Sequence, residues 1–156
     1  MKKFIILALL IIPPILLAKH TNAEYRTRSK KYIEKATGMI NISQRDSLLA
    51  YTARAQKLGE QSGDIELNRD IHYEIANLYT KIGMLDSALI LLNKTMNLNQ
   101  ILGDYAGIGQ VKNQLGSIAR FKSENLAAQQ YYSDAIGILE KYGSKRELGK
   151  AMNNLG

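Results

Sequence analysis

The side chains that most often carry enzymatic or metal chemistry are few in this sequence, and they are scattered. Its two histidines are His20 and His72, and there is no cysteine. A single histidine in the body of the chain does not supply the ligand set that a zinc site needs. The carboxylates, among them Glu74, Asp86 and Glu140, form no pair defined by a motif. We therefore expect no metal site and no catalytic residue, and we interpret His72 as a surface residue or a hydrogen-bonded groove residue.

Gly103, Gly107 and Gly109 suggest a phosphate-binding loop, but their context does not fit one. Such a loop follows a strand and opens a helix, whereas an amphipathic helical pattern precedes Gly103. Gly103 also recurs at Gly63 and Gly143, which indicates helix termination rather than phosphate binding. We expect no cofactor, and we predict that this chain is not an enzyme.

The recurring glycines belong to a repeat with a period of 40 residues. Other positions that keep this interval are Ile75, Leu115 and Leu155; Ala76, Gly116 and Gly156; Ala88 and Ala128; Asp46-Ser47 and Asp86-Ser87; Asn113 and Asn153; and Gly109 and Gly149. A period that so many positions share indicates an array of similar structural units.

Each unit has the pattern of two amphipathic helices. In the best preserved unit, the two apolar stripes are Ile71, Ile75, Leu78, Tyr79 and Ile82, and then Ala88, Leu89, Leu92 and Met96. This spacing is typical of helices. We expect Gly83 to end the first helix and Asp86-Ser87 to cap the second. The first unit deviates, because Lys35 stands where the later units have Ile75 and Leu115.

Small residues explain how the two helices of a unit approach each other. Ala76 and Gly116 lie within the first helices and Ala88 and Ala128 open the second ones, while the bulky Tyr79 or Tyr132 fills the remaining space. Together with Tyr142, these tyrosines are predicted to pack in the core. The pattern resembles the tetratricopeptide repeat over about residues 26–156. The residues that carry the resemblance are Leu115-Gly116, Tyr79, Gly83, Ala88, Ala128, Tyr132 and Ala135.

This sequence departs from the common form of the family in three ways. It has no Trp near the start of each unit, no Pro between units, and a period of 40 instead of about 34 residues. It therefore looks like a longer variety of the repeat. The resemblance implies an all-α, right-handed solenoid of antiparallel helix pairs. The expected units are a degenerate repeat over 24–65, repeats over 66–105 and 106–145, and the start of a fourth over 146–156.

The first 23 residues have the pattern of a secretory signal peptide. A basic start, Met1-Lys2-Lys3, precedes an uninterrupted apolar stretch from Phe4 to Ala18, and small residues then lead to Ala23. We expect cleavage after Ala23 and an exported, periplasmic protein; the alternative is an uncleaved anchor. The absence of cysteine excludes a lipoprotein. Loss of three lysines with this segment lowers the net charge from +7 to +4 (21 − 3 = 18 basic against 14 acidic residues).

The resemblance also implies where a ligand binds, because the first helix of each unit lines the concave groove of a tetratricopeptide solenoid. The predicted groove residues are Asp70, Tyr73, Asn77, Lys81, Gln110, Asn113, Ser117, Arg120, Phe121, Lys150 and Asn153. Their amides and charges suit the backbone and carboxylates of an extended peptide. The alternative is that they are only solvated polar positions. A protein or peptide partner is expected, and nucleic acid is not, because the basic residues form no clustered stripe.

The sequence stops at Gly156, the position equivalent to Gly116 within a first helix. The simplest expectation is the N-terminal part of a longer protein, and the alternative is a truncated but complete product. A signal sequence before such repeats is similar to the exported part of certain bacterial sensor histidine kinases and transcriptional regulators. Three roles therefore stay open: a sensory input region, a free periplasmic scaffold, or the non-catalytic part of an enzyme such as a kinase.

Overall fold

The computed structural model describes residues 14–40 and 44–156, and in these ranges the chain is all-helical and repeat-like. Seven helices occupy the described part, which contains no strand. They are α1 (Pro14–Thr37), α2 (Arg45–Ser62), α3 (Ile65–Lys81), α4 (Leu85–Leu102), α5 (Tyr105–Phe121), α6 (Asn125–Tyr142) and α7 (Lys145–Leu155). The all-α prediction is confirmed.

The helices form hairpins that contact only their neighbours along the chain. α1 packs mainly on α2, α3 on α4, and α5 on α6. Between hairpins, each second helix contacts the next first helix, and α1, α3, α5 and α7 also contact one another in succession. Among the described helices, α2, α4 and α6 do not contact each other. The first helices therefore form a continuous row along one side of the molecule.

Polar caps at 40-residue intervals begin three of these first helices. The side chains of Asp64 and Asp104 accept hydrogen bonds from the backbone N–H groups of Leu67 and Gly107, at 3.0 and 2.8 Å. Ser144 begins α7 in a capping box with Glu147. Such caps satisfy N–H groups that have no partner within the helix. This series of caps was not predicted from the sequence, although each cap directly follows one of the repeated glycines.

The predicted cap at Asp86-Ser87 is wrong. α4 begins at Leu85, one residue before Asp86, with Met84 in the capping position and no side-chain hydrogen bond there. The turn before α4 is instead closed by backbone bonds, because the N–H of Met84 donates to the carbonyl of Tyr79 at 2.8 Å. Asp86 lies in the first turn of α4, where a negative charge interacts favourably with the helix dipole.

The turns inside the α3–α4 and α5–α6 hairpins each contain one residue in the left-handed conformation. Gly83 fills this position between α3 and α4 with a φ of 77°, as expected for a helix-ending glycine. In the next hairpin the equivalent residue is Ser123, whose φ is 63°. Both turns close with the same backbone bond, from Glu124 to Ala119 at 2.9 Å in the second case. A serine thus occupies a conformation that favours glycine.

The apolar stripes predicted from the sequence form the core. Fully buried residues include Ile71, Ile75, Ala76, Ala88, Leu92, Val111, Ala135 and Leu139. Tyr79 and Tyr132 are buried as predicted, but Tyr142 is not, because it remains 46% exposed. Tyr142 is the last residue of α6. Its ring stacks at the surface on that of Tyr105, with centroids 4.8 Å apart.

A close approach inside the α5–α6 hairpin explains the small residue Gly116. A Cβ atom added at Gly116 would lie 2.6 Å from Cδ1 and Cε1 of the Tyr132 ring. The side chain of Tyr132 is only 2% exposed, so the ring has little space to move away. In the preceding hairpin the equivalent pair is Ala76 and Leu92, both fully buried in one apolar cluster. The smaller first-helix residue, Gly116 in place of Ala76, therefore accompanies the larger second-helix residue, Tyr132 in place of Leu92.

The predicted signal peptide falls mostly outside the described residues, since only residues 14–23 of the segment 1–23 belong to them. α1 runs without interruption through the expected cleavage point after Ala23. Within the described ranges, none of the helices combines the length and hydrophobicity needed to cross a membrane.

Candidate functional site

The row of first helices carries two adjoining clefts between α3, α5 and α7. Their volumes are about 370 and 350 Å³, and both are lined by Tyr73, Glu74, Asn77, Asn113 and Lys150. They therefore form one continuous surface, which we call the α3–α5–α7 cleft. Its other lining residues are Lys81, Gln110, Gln114, Leu139, Arg146, Glu147, Asn153 and Asn154.

Tyr73 and Asn77 form the part of this cleft that belongs to α3. Both side chains are half-buried, and Tyr73 also packs against the main apolar cluster. Burial is the main cause that raises the pKa of the Tyr73 phenol, and the nearby Glu74 and Glu147 raise it further, against a hydrogen bond from Asn77 that lowers it. The phenol is therefore neutral at physiological pH and acts as a hydrogen-bonding group with an apolar ring.

The side-chain oxygen of Asn77 has no hydrogen-bond partner although it is buried. A buried amide oxygen without a donor costs about 1–3 kcal/mol, so this atom is an unsatisfied acceptor on a residue that lines the cleft. A backbone N–H of a bound chain has the chemistry to satisfy it.

Two hydrogen bonds hold α5 and α7 together across the cleft. Gln110 donates from Nε2 to the carboxylate of Glu147. Asn154 donates from Nδ2 to Oδ1 of Asn113 at 3.0 Å. Gln110 and Asn113, both predicted groove residues, thus lie in the cleft but use part of their hydrogen-bonding capacity to position the neighbouring helix.

The cleft also contains cationic side chains that have no ionic partner. Lys81, Arg146 and Lys150 form no ion pair within the described part of the chain. The acidic lining residues are Glu74 and Glu147, of which Glu147 is already bonded by Gln110. The charges near α7 therefore favour an acidic group on a ligand.

A second, smaller cleft of about 180 Å³ lies beside α3 and the start of α5, and it contains Asp70 and Gln110. It is occupied by internal ion pairs. The Arg69 guanidinium contacts Asp104 at 2.6 Å and Asp70 at 2.8 Å, and Arg26 reaches Asp70 from α1 at 3.6 Å. Asp70 therefore connects helices, in addition to lining this cleft.

A larger cavity of about 540 Å³ lies between α1 and α3 at the other end of the row. Ile33, Leu67 and Ile71 give it an apolar floor, and charged residues, including Lys30 and Glu34, surround its opening. We call it the α1–α3 cavity. This site was not predicted from the sequence.

The structure brings most of the predicted groove residues together, but not all of them. Those lining the α3–α5–α7 cleft are Tyr73, Asn77, Lys81, Gln110, Asn113, Lys150 and Asn153. Ser117, Arg120 and Phe121 are not among the lining residues described for any of these clefts. Ser117 instead receives the hydroxyl hydrogen bond of Tyr132 at 3.4 Å. Phe121, at the last position of α5, is 64% exposed.

Sequence reasoning missed a further series of cleft residues. Glu74, Gln114 and Asn154 all line the cleft and lie 40 residues apart. Each directly follows a position of the predicted series, as Gln114 follows Asn113. The repeat register was therefore sufficient to find them, had the helix face been taken one residue wider.

His72 differs from its interpretation as a surface or groove residue. It is 4% exposed and points into the helix packing, and neither ring nitrogen has a hydrogen-bond partner. Burial is the main cause that lowers the pKa of His72, Lys94 lowers it further, and Glu60 opposes the shift. Among the described residues, no group of three or more histidine, aspartate or glutamate side chains is arranged to hold a metal ion.

In comparisons with known proteins, no protein-family model, no curated protein and no solved structure matches this chain.

Proposed function

On these grounds we propose that the chain is an exported, tetratricopeptide-like module that binds a protein or an extended peptide in the α3–α5–α7 cleft. In this proposal the hairpins form a right-handed solenoid, and the row of first helices is its concave side. The proposed activity is binding rather than catalysis.

The contact pattern of the helices supports the solenoid. Each hairpin contacts only the next one, and the first helices adjoin while the second helices do not. A stack that is closer on one side than on the other curves, and curved helix arrays bind partners on their inner surface. The caps Asp64, Asp104 and Ser144 recur at 40-residue intervals, so α3, α5 and α7 each begin with a side-chain cap at the same position of the repeat.

The observation that carries the proposal is the acceptor at Asn77 within a cleft lined by amides. Its Oδ1 is buried without a donor, and Gln110, Asn113 and Gln114 line the same surface. An extended chain presents N–H and C=O groups at regular intervals, and side-chain amides can both donate to and accept from them. A cleft with this lining suits recognition of a peptide backbone.

The direct test is selection from a random 12-residue peptide display library on the immobilised full chain, followed by fluorescence polarisation with the selected peptides. Asn77→Ala is expected to weaken binding about fivefold or more, since one hydrogen bond contributes about 1 kcal/mol. Asn93→Ala is the matched control, because Asn93 is an exposed asparagine on α4 that lines neither cleft.

The control variant is expected to bind as the unchanged protein does, and circular dichroism is expected to show equal helicity for both variants. If selection yields no peptide, or if the two variants bind equally, the cleft is not a peptide site and the proposal is wrong.

A further inference from the structure

The α1–α3 cavity and the α3–α5–α7 cleft lie on the same row of first helices, but their linings differ. The floor of the cavity is formed by Ile33 from α1 and by Leu67 and Ile71 from α3. Leu67 and Ile71 are 3% and 1% exposed, so the floor is part of the packed core and does not need to rearrange. A volume of about 540 Å³ is within the range of about 300–1,000 Å³ for ligand sites, and it accommodates one large apolar side chain.

Equivalent positions of the repeat show that the polarity of the lining increases step by step along the row of first helices. Ile33 is followed at 40-residue intervals by Tyr73, Asn113 and Asn153. The series thus changes from aliphatic, through an aromatic with a hydroxyl, to two amides. All four residues line either the cavity or the cleft. The apolar end lies at α1 and the polar end at α7.

Charge changes in the same direction. At the cavity, Arg26 is held by Asp64 and Asp70 at 3.4 and 3.6 Å. The charged residues that line the cavity are Arg26 and Lys30 against Glu34, Asp70 and Glu74, so this end has one more acidic than basic group. At the other end, Arg146 and Lys150 are without ionic partners among the described residues, and they line the cleft beside α7. An acidic group is therefore favoured at α7 and disfavoured at α1.

From these two gradients we infer that the ligand is an extended peptide segment with a large apolar side chain bound in the α1–α3 cavity and a carboxylate side chain near Arg146 and Lys150. This inference rests on the proposed function, and it adds the chemical class and the orientation of the ligand.

The helix spacing sets how far apart the two side chains lie. The cavity lies between α1 and α3 and the cationic end lies between α5 and α7, so two steps along the row separate them. Packed helices are about 8–10 Å apart, which gives a separation of roughly 16–20 Å. An extended chain advances about 3.3 Å per residue, so the apolar and acidic residues are expected roughly five or six positions apart.

A set of fluorescein-labelled 12-residue peptides, measured against the full chain by fluorescence polarisation, tests this inference. Each peptide consists of glycine, serine and asparagine with one phenylalanine and one aspartate, two to nine positions apart, in both orders. Peptides with only one of the two residues complete the set. The tightest binding is expected at five or six positions and in one order only, with affinity that falls as salt is added.

Three variants assign the two ends. Ile33→Asn places at the cavity the residue that the repeat has at position 113, and it is expected to weaken binding of phenylalanine-containing peptides about tenfold. Because Ile33 also packs on the core, Thr37→Trp is the second variant; Thr37 is exposed at the rim, and the larger side chain fills the cavity. Lys150→Gln is expected to weaken only the aspartate-containing peptides.

Affinity that does not depend on phenylalanine, on its spacing or on Thr37→Trp would overturn the inference. The proposed function would survive this result if peptides from the display selection still bind and still depend on Asn77. If no peptide of either origin binds the folded chain, the proposed function and the inference both fail.

Discussion

The close approach of Gly116 and Tyr132 leads to a quantitative prediction for Gly116→Ala. The added Cβ would lie 2.6 Å from two ring atoms of Tyr132, and the buried ring cannot turn away. Overpacking of a core costs about 1–3 kcal/mol. Alanine in a helix interior is favoured over glycine by about 1 kcal/mol, which offsets part of that cost. We therefore expect a net loss of about 0–2 kcal/mol in the free energy of unfolding.

Gly137→Ala provides the matched control. Gly137 lies in α6 of the same hairpin, and a Cβ atom there would meet no atom within 4 Å. This variant is expected to gain about 1 kcal/mol from helix propensity alone. The two alanine variants should thus differ by about 1–3 kcal/mol, which urea denaturation followed by circular dichroism at 222 nm resolves.

A second substitution identifies the clash as the cause. Tyr132→Leu recreates, together with Gly116→Ala, the pair that the preceding hairpin has at Ala76 and Leu92. In the Gly116→Ala background, Tyr132→Leu is expected to cost at least about 1 kcal/mol less than in the unchanged protein, as coupling of contacting residues requires. Equal stabilisation by the two alanine substitutions, or additive behaviour of the double variant, would refute the packing described for this hairpin.

Three further predictions concern the turns, the caps and the buried histidine. Ser123→Gly is expected to stabilise the protein by about 1 kcal/mol, because the residue has a φ of 63°; an unchanged urea midpoint would argue against this turn geometry. Asp104→Ala is expected to lower the free energy of unfolding by about 1–2 kcal/mol, since it removes the α5 cap and the ion pair with Arg69. Its control is Asp86→Ala, at a side chain that is 94% exposed and caps nothing, which is expected to change stability by less than about 0.5 kcal/mol. Similar losses in the two variants would contradict the capping assignment. Because burial holds the pKa of His72 below 6.5 in the folded state, the unfolded chain binds a proton more readily, so stability should fall as the pH drops below about 6.5. His72→Leu should reduce the loss of stability between pH 7.5 and 5.5, and an undiminished loss would exclude His72 as its source.

The helices and most of the core were predictable from the sequence because one signal, the 40-residue period, repeats the same physical requirement several times. Buried residues such as Ile75 in α3 and Val111 in α5 belong to stripes with helical spacing. That spacing alone indicates which face of each helix packs in the core. The exposure of Tyr142 was not predictable in this way, because it depends on where α6 ends relative to the partner helix. The burial of His72 was not predictable either, since the packing of other helices decides whether an unpartnered ring is buried.

For the α3–α5–α7 cleft, the sequence predicted only which face of the first helices lines it. Positions such as Asn77 and Lys150 followed from the register of the first helices, and the structure brings them into one cleft. The hydrogen bonds that Gln110 and Asn113 make to α7 were not predictable, because they depend on the distance between neighbouring units. The α1–α3 cavity was also not predictable, since a cavity is defined by the space between side chains rather than by their sequence.

The arrangement in which each hairpin contacts only its neighbours has a consequence for how the chain acquires its structure. Most native contacts join residues that are close in sequence, so little loop-closure entropy is lost before they form. Among small proteins, those rich in local contacts fold faster than those dominated by contacts between distant parts of the chain. Folding can also begin in any hairpin and extend to the next, so the order of events is set by local stability. The α3–α4 hairpin, with its capped first helix and its glycine turn, is therefore the expected starting point from which the array grows in both directions.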